Sequence, residues 1–181
     1  MSNWKKISTE EVFNHKYFKV NKDIVELPSG KEIDWLYWNS KDSAMIVAET
    51  PEGKLVMIKQ YRYLPDQVAL EFPSGHSDEG EEIKDCVVRE FEEETGYTCE
   101  DIKLLGKFYE TMGQLNRQIH IFYGKNATKI EGKKKNGDIT EEIEVTLMDP
   151  SEVVKMARNG KIISMGSSLA ALLYSSMENN A

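Results

Sequence analysis

The alternation of apolar and polar positions predicts that most of this chain forms β-strands. Turns rich in proline and glycine, at residues 28–31 and 51–53, join the first four strands into two hairpins. A polar, lysine-rich segment, Lys125–Thr140, breaks the pattern and predicts a mobile loop. The predicted strands cover residues 17–27, 32–38, 43–49, 55–61, 68–72, 102–110, 118–124 and 142–148.

Three segments follow the helical repeat instead. Residues 80–95 predict a helix in mid-chain, ended by Gly96. Asp149, as the N-cap, and Pro150, at the first helical position, open a second helix that ends at Gly160. Residues 167–177 predict a third. Many strands with few helices favour an α+β or layered fold over a doubly wound parallel sheet.

Length and composition indicate an ordinary globular protein with one sizeable core. The chain has 181 residues, and it contains no apolar run of the roughly 20 residues that span a bilayer. Its start is polar, unlike a secretory signal, and its only cysteines, Cys86 and Cys99, imply no disulfide framework. We therefore expect a cytoplasmic protein. Neither membrane nor nucleic acid is an expected partner, since no basic patch is present.

The negative charge is concentrated in one block. The whole chain carries a net charge of −8, and residues 75–97 hold nine acidic side chains against two basic ones. The rest of the chain is therefore close to neutral. A charge so localised predicts that this segment binds a cation.

A helical wheel of the mid-chain helix shows where these carboxylates lie. Ile83 and Val87 begin an apolar stripe, and Glu90 and Glu94 continue it where core residues are expected. Three consecutive glutamates near the helix C-terminus also oppose the helix dipole and repel one another, at about 0.3–1 kcal/mol for each penalty. A solvated charged face is the alternative, but the outer half of the helix already provides one. Hard oxygen ligands in this arrangement favour a site for magnesium, manganese or calcium.

The spacing of these residues resembles the Nudix signature. Gly75 is followed by five residues, Glu81, seven residues, and then Arg89-Glu90-Phe91-Glu92-Glu93-Glu94-Thr95-Gly96-Tyr97. Every fixed position fits, with aromatic Phe91 and Tyr97 where aliphatic residues are usual. The resemblance implies an α+β Nudix fold, in which a mixed β-sheet is sandwiched between helices.

The resemblance also implies a role for each matching residue. Glu90 and Glu94 are expected to bind Mg²⁺, or Mn²⁺, directly, and Glu93 is expected to bind it directly or through a water. Glu81 supports the cluster, and Arg89 orients the glutamates without touching the metal. The backbone carbonyl of Ser74 supplies a further ligand.

Outside the signature, the chain is similar to the ADP-ribose pyrophosphatase, or nucleoside diphosphate sugar hydrolase, branch of that family. Gln60-Tyr61-Arg62 and Leu70-Glu71-Phe72-Pro73-Ser74-Gly75 carry this similarity. It implies that residues 1–42 form an antiparallel β extension that makes a homodimer, and that residues 43–181 form the Nudix domain. One departure is Met112, which stands where the branch typically has proline. GDP-mannose therefore stays open as the main substrate.

The expected reaction is hydrolysis of the diphosphate bond of a nucleoside diphosphate sugar such as ADP-ribose. The resemblance places the base on a loop after the signature, which here ends at Glu141 and Glu142, with Glu93 as the third candidate. The alternatives are another Nudix substrate, such as a dinucleoside polyphosphate, and a nucleotide-sensing module without catalysis. The candidate substrate contacts are Arg62, Glu71, Arg117, Trp35 and Tyr37.

Overall fold

A computed structural model describes residues 3–132 and 142–178 of the chain. They form two compact units. The first contains residues 3–42 together with Tyr109–Gln118, and the second begins with Ser43–Phe108 and resumes at residue 119. Within the described ranges, no helix is long and apolar enough to cross a membrane.

The first unit contains a three-stranded antiparallel sheet, whose strands in order are β1 (Lys5–His15), β2 (Phe18–Glu26) and β3 (Glu32–Asn39). The turn before β3 places Gly30 at a φ of +80°, which explains the glycine there. The strand β1 was not predicted from the sequence. Its pairing with β2 shifts register twice, which breaks the alternation of period two, and all of its residues are exposed.

The second unit contains a mixed sheet and three helices, made of β4 (Ser43–Glu49), β5 (Leu55–Arg62), β6 (Gln67–Glu71), β7 (Ser74–His76), α1 (Ile83–Thr95), β8 (Tyr97–Tyr109), β9 (Gln118–Lys129), β10 (Ile143–Met148), α2 (Pro150–Arg158) and α3 (Met165–Glu178). The strand β4 runs parallel to β9 and antiparallel to β5. The order of the strands in this sheet is β10-β5-β4-β9-β8, with β6 paired to β5 and β7 paired to β4.

The central strand β4 explains the layered arrangement. Met45 and Val47 face one core, which is shared with Tyr174 of α3 and with residues of α2. Ile46 lies on the opposite face and packs in a second core with Phe91 of α1. Because both faces of β4 are buried, its sequence reads as an unbroken apolar run. The predicted α+β arrangement, a mixed sheet between helices, is thereby confirmed.

Several predicted boundaries needed correction. The helix α1 begins at Ile83, because Gly80 adopts a φ of +77° in the preceding turn, whereas its predicted end at Gly96 is confirmed by a φ of 71°. The three-residue strand β7 was missed. The loop predicted from Lys125 was wrong at its start, because β9 continues to Lys129 and buries Ala127. Residues 133–141 of that loop lie outside the described residues.

Candidate active site

The helix α1 turns its predicted stripe towards the sheet. Cys86, Val87 and Phe91 are buried, and Glu94 is only 9% exposed. The Oε2 atom of Glu94 accepts a hydrogen bond of 2.9 Å from the backbone amide of Ser74, at the start of β7. A carboxylate therefore occupies a core position, as the helical wheel predicted, and it links α1 to β7.

Arg89 gathers three further carboxylates. Its Nε and Nη2 atoms donate to the two oxygens of Glu81 at 2.8 and 2.9 Å. Its Nη1 atom donates to Glu90 at 2.8 Å and to Glu93 at 3.2 Å, and its Nη2 atom also donates to the carbonyl of His76 at 3.1 Å. We call Glu81, Arg89, Glu90, Glu93 and Glu94 the carboxylate cluster. Its four carboxylates exceed its single guanidinium by three negative charges.

Hydrogen bonding and burial shift the pKa values in this region. The paired hydrogen bonds from Arg89, helped by the backbone amide of Asp78 at 2.8 Å, lower the pKa of Glu81 to about 2. The carboxylates of Glu81 and Glu90 in turn raise the pKa of Arg89. Burial, reinforced by the charges of Glu81 and Glu90, raises the pKa of Cys86 to about 12. Glu81 is therefore held as a carboxylate and Cys86 as a neutral thiol at neutral pH.

Gly75 leaves space that the carboxylate of Glu90 occupies. A Cβ atom at residue 75 would lie 2.0 Å from the carboxyl carbon of Glu90. The φ of Gly75 is not in the left-handed region, so the reason for glycine here is this close approach and not the backbone conformation. The glycine of the motif therefore positions a predicted metal ligand.

We predict that Gly75→Ala lowers kcat about a hundredfold while changing the free energy of unfolding by less than about 1 kcal/mol. The added methyl group displaces a flexible carboxylate end, which costs little stability but misplaces a reacting group. Steady-state kinetics and urea denaturation measure the two effects. Gly113→Ala is the control, because a Cβ atom there meets no atom within 4 Å. A wild-type kcat in Gly75→Ala would contradict the prediction. So would a Gly75→Ala substitution that lowers kcat by the same factor in Glu90→Ala as it does in the wild-type protein.

The carboxylate cluster supplies the oxygen atoms that a divalent cation prefers, although hydrogen bonds from other groups already engage these oxygens. Among residues 3–132 and 142–178, no group of three or more His, Cys, Asp or Glu side chains is arranged to hold a metal ion. Arg89 holds Glu90 and Glu93, and the amide of Ser74 holds Glu94. The excess of carboxylates, one of which lies close to the backbone because residue 75 is glycine, fits a hard cation that competes with Arg89 for these oxygens.

Two of the predicted substrate contacts bind each other. The Nε atom of Arg62 donates to the two oxygens of Glu71 at 3.2 and 3.1 Å, and its Nη2 atom donates to Glu71 as well. The side chain of Glu71 is 11% exposed, and that of Arg62 is 43% exposed. Glu71 therefore fixes the guanidinium of Arg62 and leaves one edge of it open to solvent.

The remaining predicted contacts belong to the first unit. Arg117 donates to Glu110 at 2.5 Å and lies over the ring of Trp38, 5.4 Å from its centroid. Trp35 packs edge-to-face against Trp4 with ring centroids 5.5 Å apart. Tyr37 lines a cavity of about 450 Å³. None of these three residues is part of the second unit, which contains the carboxylate cluster.

The two loop glutamates differ in what the structure describes. Glu142 is exposed and directly precedes β10, whereas Glu141 lies outside the described residues. Glu142 also lines a cleft of about 720 Å³ that the sequence did not reveal. Residues distant in the chain form this cleft, and only the strand pairing brings them together. Its aromatic and charged lining residues are Lys59, Tyr61, Tyr97, Lys129, Glu142 and Glu144.

Comparison with known proteins agrees with this geometry. Residues 39–165 match the NUDIX domain, and residues 4–38 match the nucleoside diphosphate sugar hydrolase N-terminal domain. The chain is 32% identical to the ADP-ribose pyrophosphatase of Bacillus subtilis (strain 168) over 153 residues, which cover 83% of each chain. It is also 32% identical to the methanol dehydrogenase activator of Bacillus methanolicus, over 85% of this chain and 84% of the relative.

A solved structure supports the fold. It is described as the crystal structure of an ADP compounds hydrolase and superimposes with a TM-score of 0.84, covering 99% of this chain and 96% of the other. The sequence identity is 18%, so this likeness concerns the fold alone. Taken with the matched domains and the relatives, it leads to one assignment: the chain belongs to the Nudix hydrolase family and carries the N-terminal domain of nucleoside diphosphate sugar hydrolases.

Proposed function

We propose that this protein hydrolyses the diphosphate bond of a nucleoside diphosphate sugar of the ADP-ribose type. The products are a nucleoside monophosphate and a sugar phosphate. The observation that carries the proposal is the carboxylate cluster, in which four glutamates of the Nudix motif converge on Arg89 and on the amide of Ser74. The matched N-terminal domain and the ADP-ribose pyrophosphatase relative support the substrate class.

Magnesium is the proposed cofactor, with manganese as a substitute. Glu90, Glu93, Glu94 and the carbonyl of Ser74 would hold it, and Glu81 would support them through Arg89. When bound, the ion neutralises the diphosphate oxygens and stabilises the charge on the leaving phosphate.

The protein supplies the groups that orient the reactants and move the proton. A water oxygen forms a bond to phosphorus, the bridging phosphorus–oxygen bond breaks, and a carboxylate takes the proton of the water. Glu141 is our first candidate for this base, Glu142 the second and Glu93 the third. Glu142 and Glu93 are at least partly exposed, so water reaches both carboxylates.

The predicted substrate contacts remain part of the proposal. Arg62, held by Glu71, presents its open edge to phosphate or ribose. Arg117 is the second candidate for the same contact, and Trp35 or Tyr37 is proposed to stack on the base. The resemblance to the branch also leads us to propose a homodimer in the cytoplasm. A solution mass equal to that of a single chain would contradict the dimer.

The test is a panel of substrates assayed with magnesium. Phosphate release, coupled to a phosphatase, is measured for ADP-ribose, GDP-mannose, other nucleotide sugars, NADH and diadenosine polyphosphates. We expect the nucleotide sugars to give the highest kcat/KM. Faster cleavage of dinucleoside polyphosphates would make these compounds the substrate class instead. Binding of nucleotides without turnover would indicate a sensing module.

Separate replacement of Glu141 and Glu142 by Gln identifies the base. The substitution that removes it should lower kcat about a hundredfold or more, because general base catalysis contributes about 10²–10⁴-fold. The other substitution should leave kcat within a few-fold of wild type. Pre-steady-state measurements separate the chemical step from product release. If neither substitution slows the chemical step, Glu93 becomes the candidate.

A further inference from the structure

The β6–β7 connection consists of two residues, Phe72 and Pro73, and leads into the proposed metal ligand Ser74. Because proline has no amide hydrogen, the amides of Phe72 and Ser74 are the donors available here. The amide of Ser74 donates to Glu94 of α1 at 2.9 Å. The amide of Phe72 donates to the hydroxyl oxygen of Ser167 in α3 at 3.0 Å. Since α1 and α3 pack on opposite faces of the sheet, the connection is held from both sides.

Ser167 is a polar residue in the core of the second unit. It lies in the first turn of α3 and is 0% exposed. Serine is usually exposed, because burial of a hydroxyl without a hydrogen bond is unfavourable. Phe72 is also 0% exposed, so the hydrogen bond between the two residues satisfies a buried amide as well as a buried hydroxyl oxygen. The polar side chain of Ser167 therefore has a specific partner in the backbone of the β6–β7 connection.

Gly166 allows α3 to come close to the strand that carries β7. A Cβ atom at residue 166 would lie 3.2 Å from Cδ1 of Ile119 and 3.3 Å from Cε of Met45, both closer than ordinary van der Waals contact. Met45 is the residue of β4 that lies opposite Ser74. The start of α3 is therefore packed against the sheet beside the proposed metal ligand.

The β6–β7 connection has little freedom between its anchors. The ring of Pro73 fixes its φ near about −65°. The carbonyl of Pro73 accepts a hydrogen bond of 3.1 Å from the amide of Ile46 in β4. Because β7 has only three residues, few pairings with β4 hold it in place. A displacement of Phe72 is therefore transmitted through Pro73 to the backbone of Ser74.

We propose that Ser167 is a positioning residue for the metal site: its hydroxyl holds the amide of Phe72 and thereby fixes the backbone of Ser74. The carbonyl of Ser74 is a proposed metal ligand, and its amide holds Glu94, which is another. This inference rests on the proposed function and extends its site to a residue of α3 that touches neither metal nor substrate. Groups that orient metal ligands typically contribute about 10–100-fold to metal affinity or activity.

The experiment removes the hydroxyl and measures metal binding directly. Ser167→Ala is compared with wild type by Mn²⁺ binding, followed by electron paramagnetic resonance in the absence of substrate. We expect the dissociation constant for Mn²⁺ to rise about tenfold, at the lower end of the range for groups that orient metal ligands. The kcat/KM for ADP-ribose at subsaturating Mg²⁺ should fall by a similar factor.

Ser168→Ala is the matched control. Ser168 is the next residue of α3, and its hydroxyl donates to the carbonyl of Ile162 at 2.8 Å instead of contacting the β6–β7 connection. Each of the two substitutions removes one hydrogen bond, so urea denaturation should detect a loss of stability in both variants. Mn²⁺ affinity should fall in Ser167→Ala and stay at the wild-type value in Ser168→Ala.

A second pair of variants separates the hydroxyl from packing. Ser167→Thr and Ser167→Val place side chains of nearly the same shape in the buried position, and only threonine carries a hydroxyl. The threonine variant should therefore bind Mn²⁺ about tenfold more tightly than the valine variant. Equal Mn²⁺ affinity in Ser167→Ala and wild type, or an equal loss in Ser168→Ala, overturns this inference alone.

Hydrogen exchange of the wild-type protein decides the matter if no Ser167 variant folds. Coupling between two sites is reciprocal, so the amide of Phe72 should exchange more slowly when Mg²⁺ alone is added. An exchange rate at Phe72 that Mg²⁺ leaves unchanged overturns the inference. A wild-type protein that binds Mn²⁺ but cleaves no nucleotide sugar overturns the proposed function, while Mn²⁺ binding by the variants still decides the role of Ser167. A wild-type protein that binds no Mn²⁺ overturns both.

Discussion

Glu94→Gln should lower kcat by about a thousandfold or more while the fold stays intact. The substitution removes the negative charge of a proposed metal ligand, and such ions contribute several kcal/mol of transition-state stabilisation. A loss of about 4 kcal/mol corresponds to a factor of about a thousand. In the wild-type protein, the backbone amide of Ser74 donates a hydrogen bond of 2.9 Å to Glu94. The amide oxygen of Gln can still accept this hydrogen bond, so the link between α1 and β7 is kept.

Two measurements distinguish this role from a structural one. Binding of Mn²⁺, followed by electron paramagnetic resonance in the absence of substrate, should weaken in Glu94→Gln. Urea denaturation without metal should show little change. Glu92→Gln removes the same charge from the outer side of the same helix and should retain both activity and Mn²⁺ binding. Turnover near the wild-type rate in Glu94→Gln would reject the ligand role.

Arg89→Met should lower the metal-free free energy of unfolding by about 2–3 kcal/mol. Removing one partner of a buried ion pair costs about 3–5 kcal/mol, and the effect is smaller here because the Arg89 side chain is 29% exposed. Without it, Glu81, Glu90 and Glu93 lose the donor that they share. Urea denaturation in EDTA at neutral pH measures the change. Arg158→Met is the matched control, because the Arg158 side chain makes a single hydrogen bond to the described part of the chain, at 3.5 Å to Ser175.

The same variant should respond differently to acid. Glu81 has a folded-state pKa of about 2, below its ordinary value of 4.5, so its ion pair stabilises the fold fully above about pH 4.5. This contribution is lost as the pH falls towards 2. The stability difference between wild type and Arg89→Met should therefore be constant between about pH 5 and 7 and shrink below pH 4.5. A difference that grows on acidification would contradict the assignment of the pKa shift to Arg89.

The positions of the carboxylates on α1 can be predicted from the sequence, because helix geometry is local. Side chains on a helix follow one another at about 100° per residue, so the spacing alone places Glu90 and Glu94 on the stripe begun by Ile83 and Val87. The structure agrees, with Glu94 buried. Gly96 likewise ends the helix by its own left-handed backbone, at a φ of 71°. The buried run of β4 is also local, since apolar residues on both faces indicate a central strand.

Features that depend on the register of strand pairing could not be predicted from the sequence in this way. The strand β7 has only three residues and exists because it pairs with β4, where Met45 lies opposite Ser74. The two register shifts in β1 hide its alternation. The segment Tyr109–Gln118 belongs to the first unit, where the amide of Trp38 donates to the carbonyl of Gln114 at 2.7 Å. The partners of β7 and of residues 109–118 are far away in the chain, so no local pattern predicts these two pairings.

The contrast between the two groups of side chains has one physical cause. Glu90, Glu93 and Glu94 lie on a single helix, where the fixed rise and rotation of the backbone place them without reference to the rest of the molecule. The Arg62–Glu71 and Lys59–Glu144 pairs join different strands, so they form only when folding sets the register of β5 against β6 and β10. Composition and spacing along the chain therefore define the proposed metal ligands, whereas strand pairing fixes the guanidinium that we propose to contact the substrate.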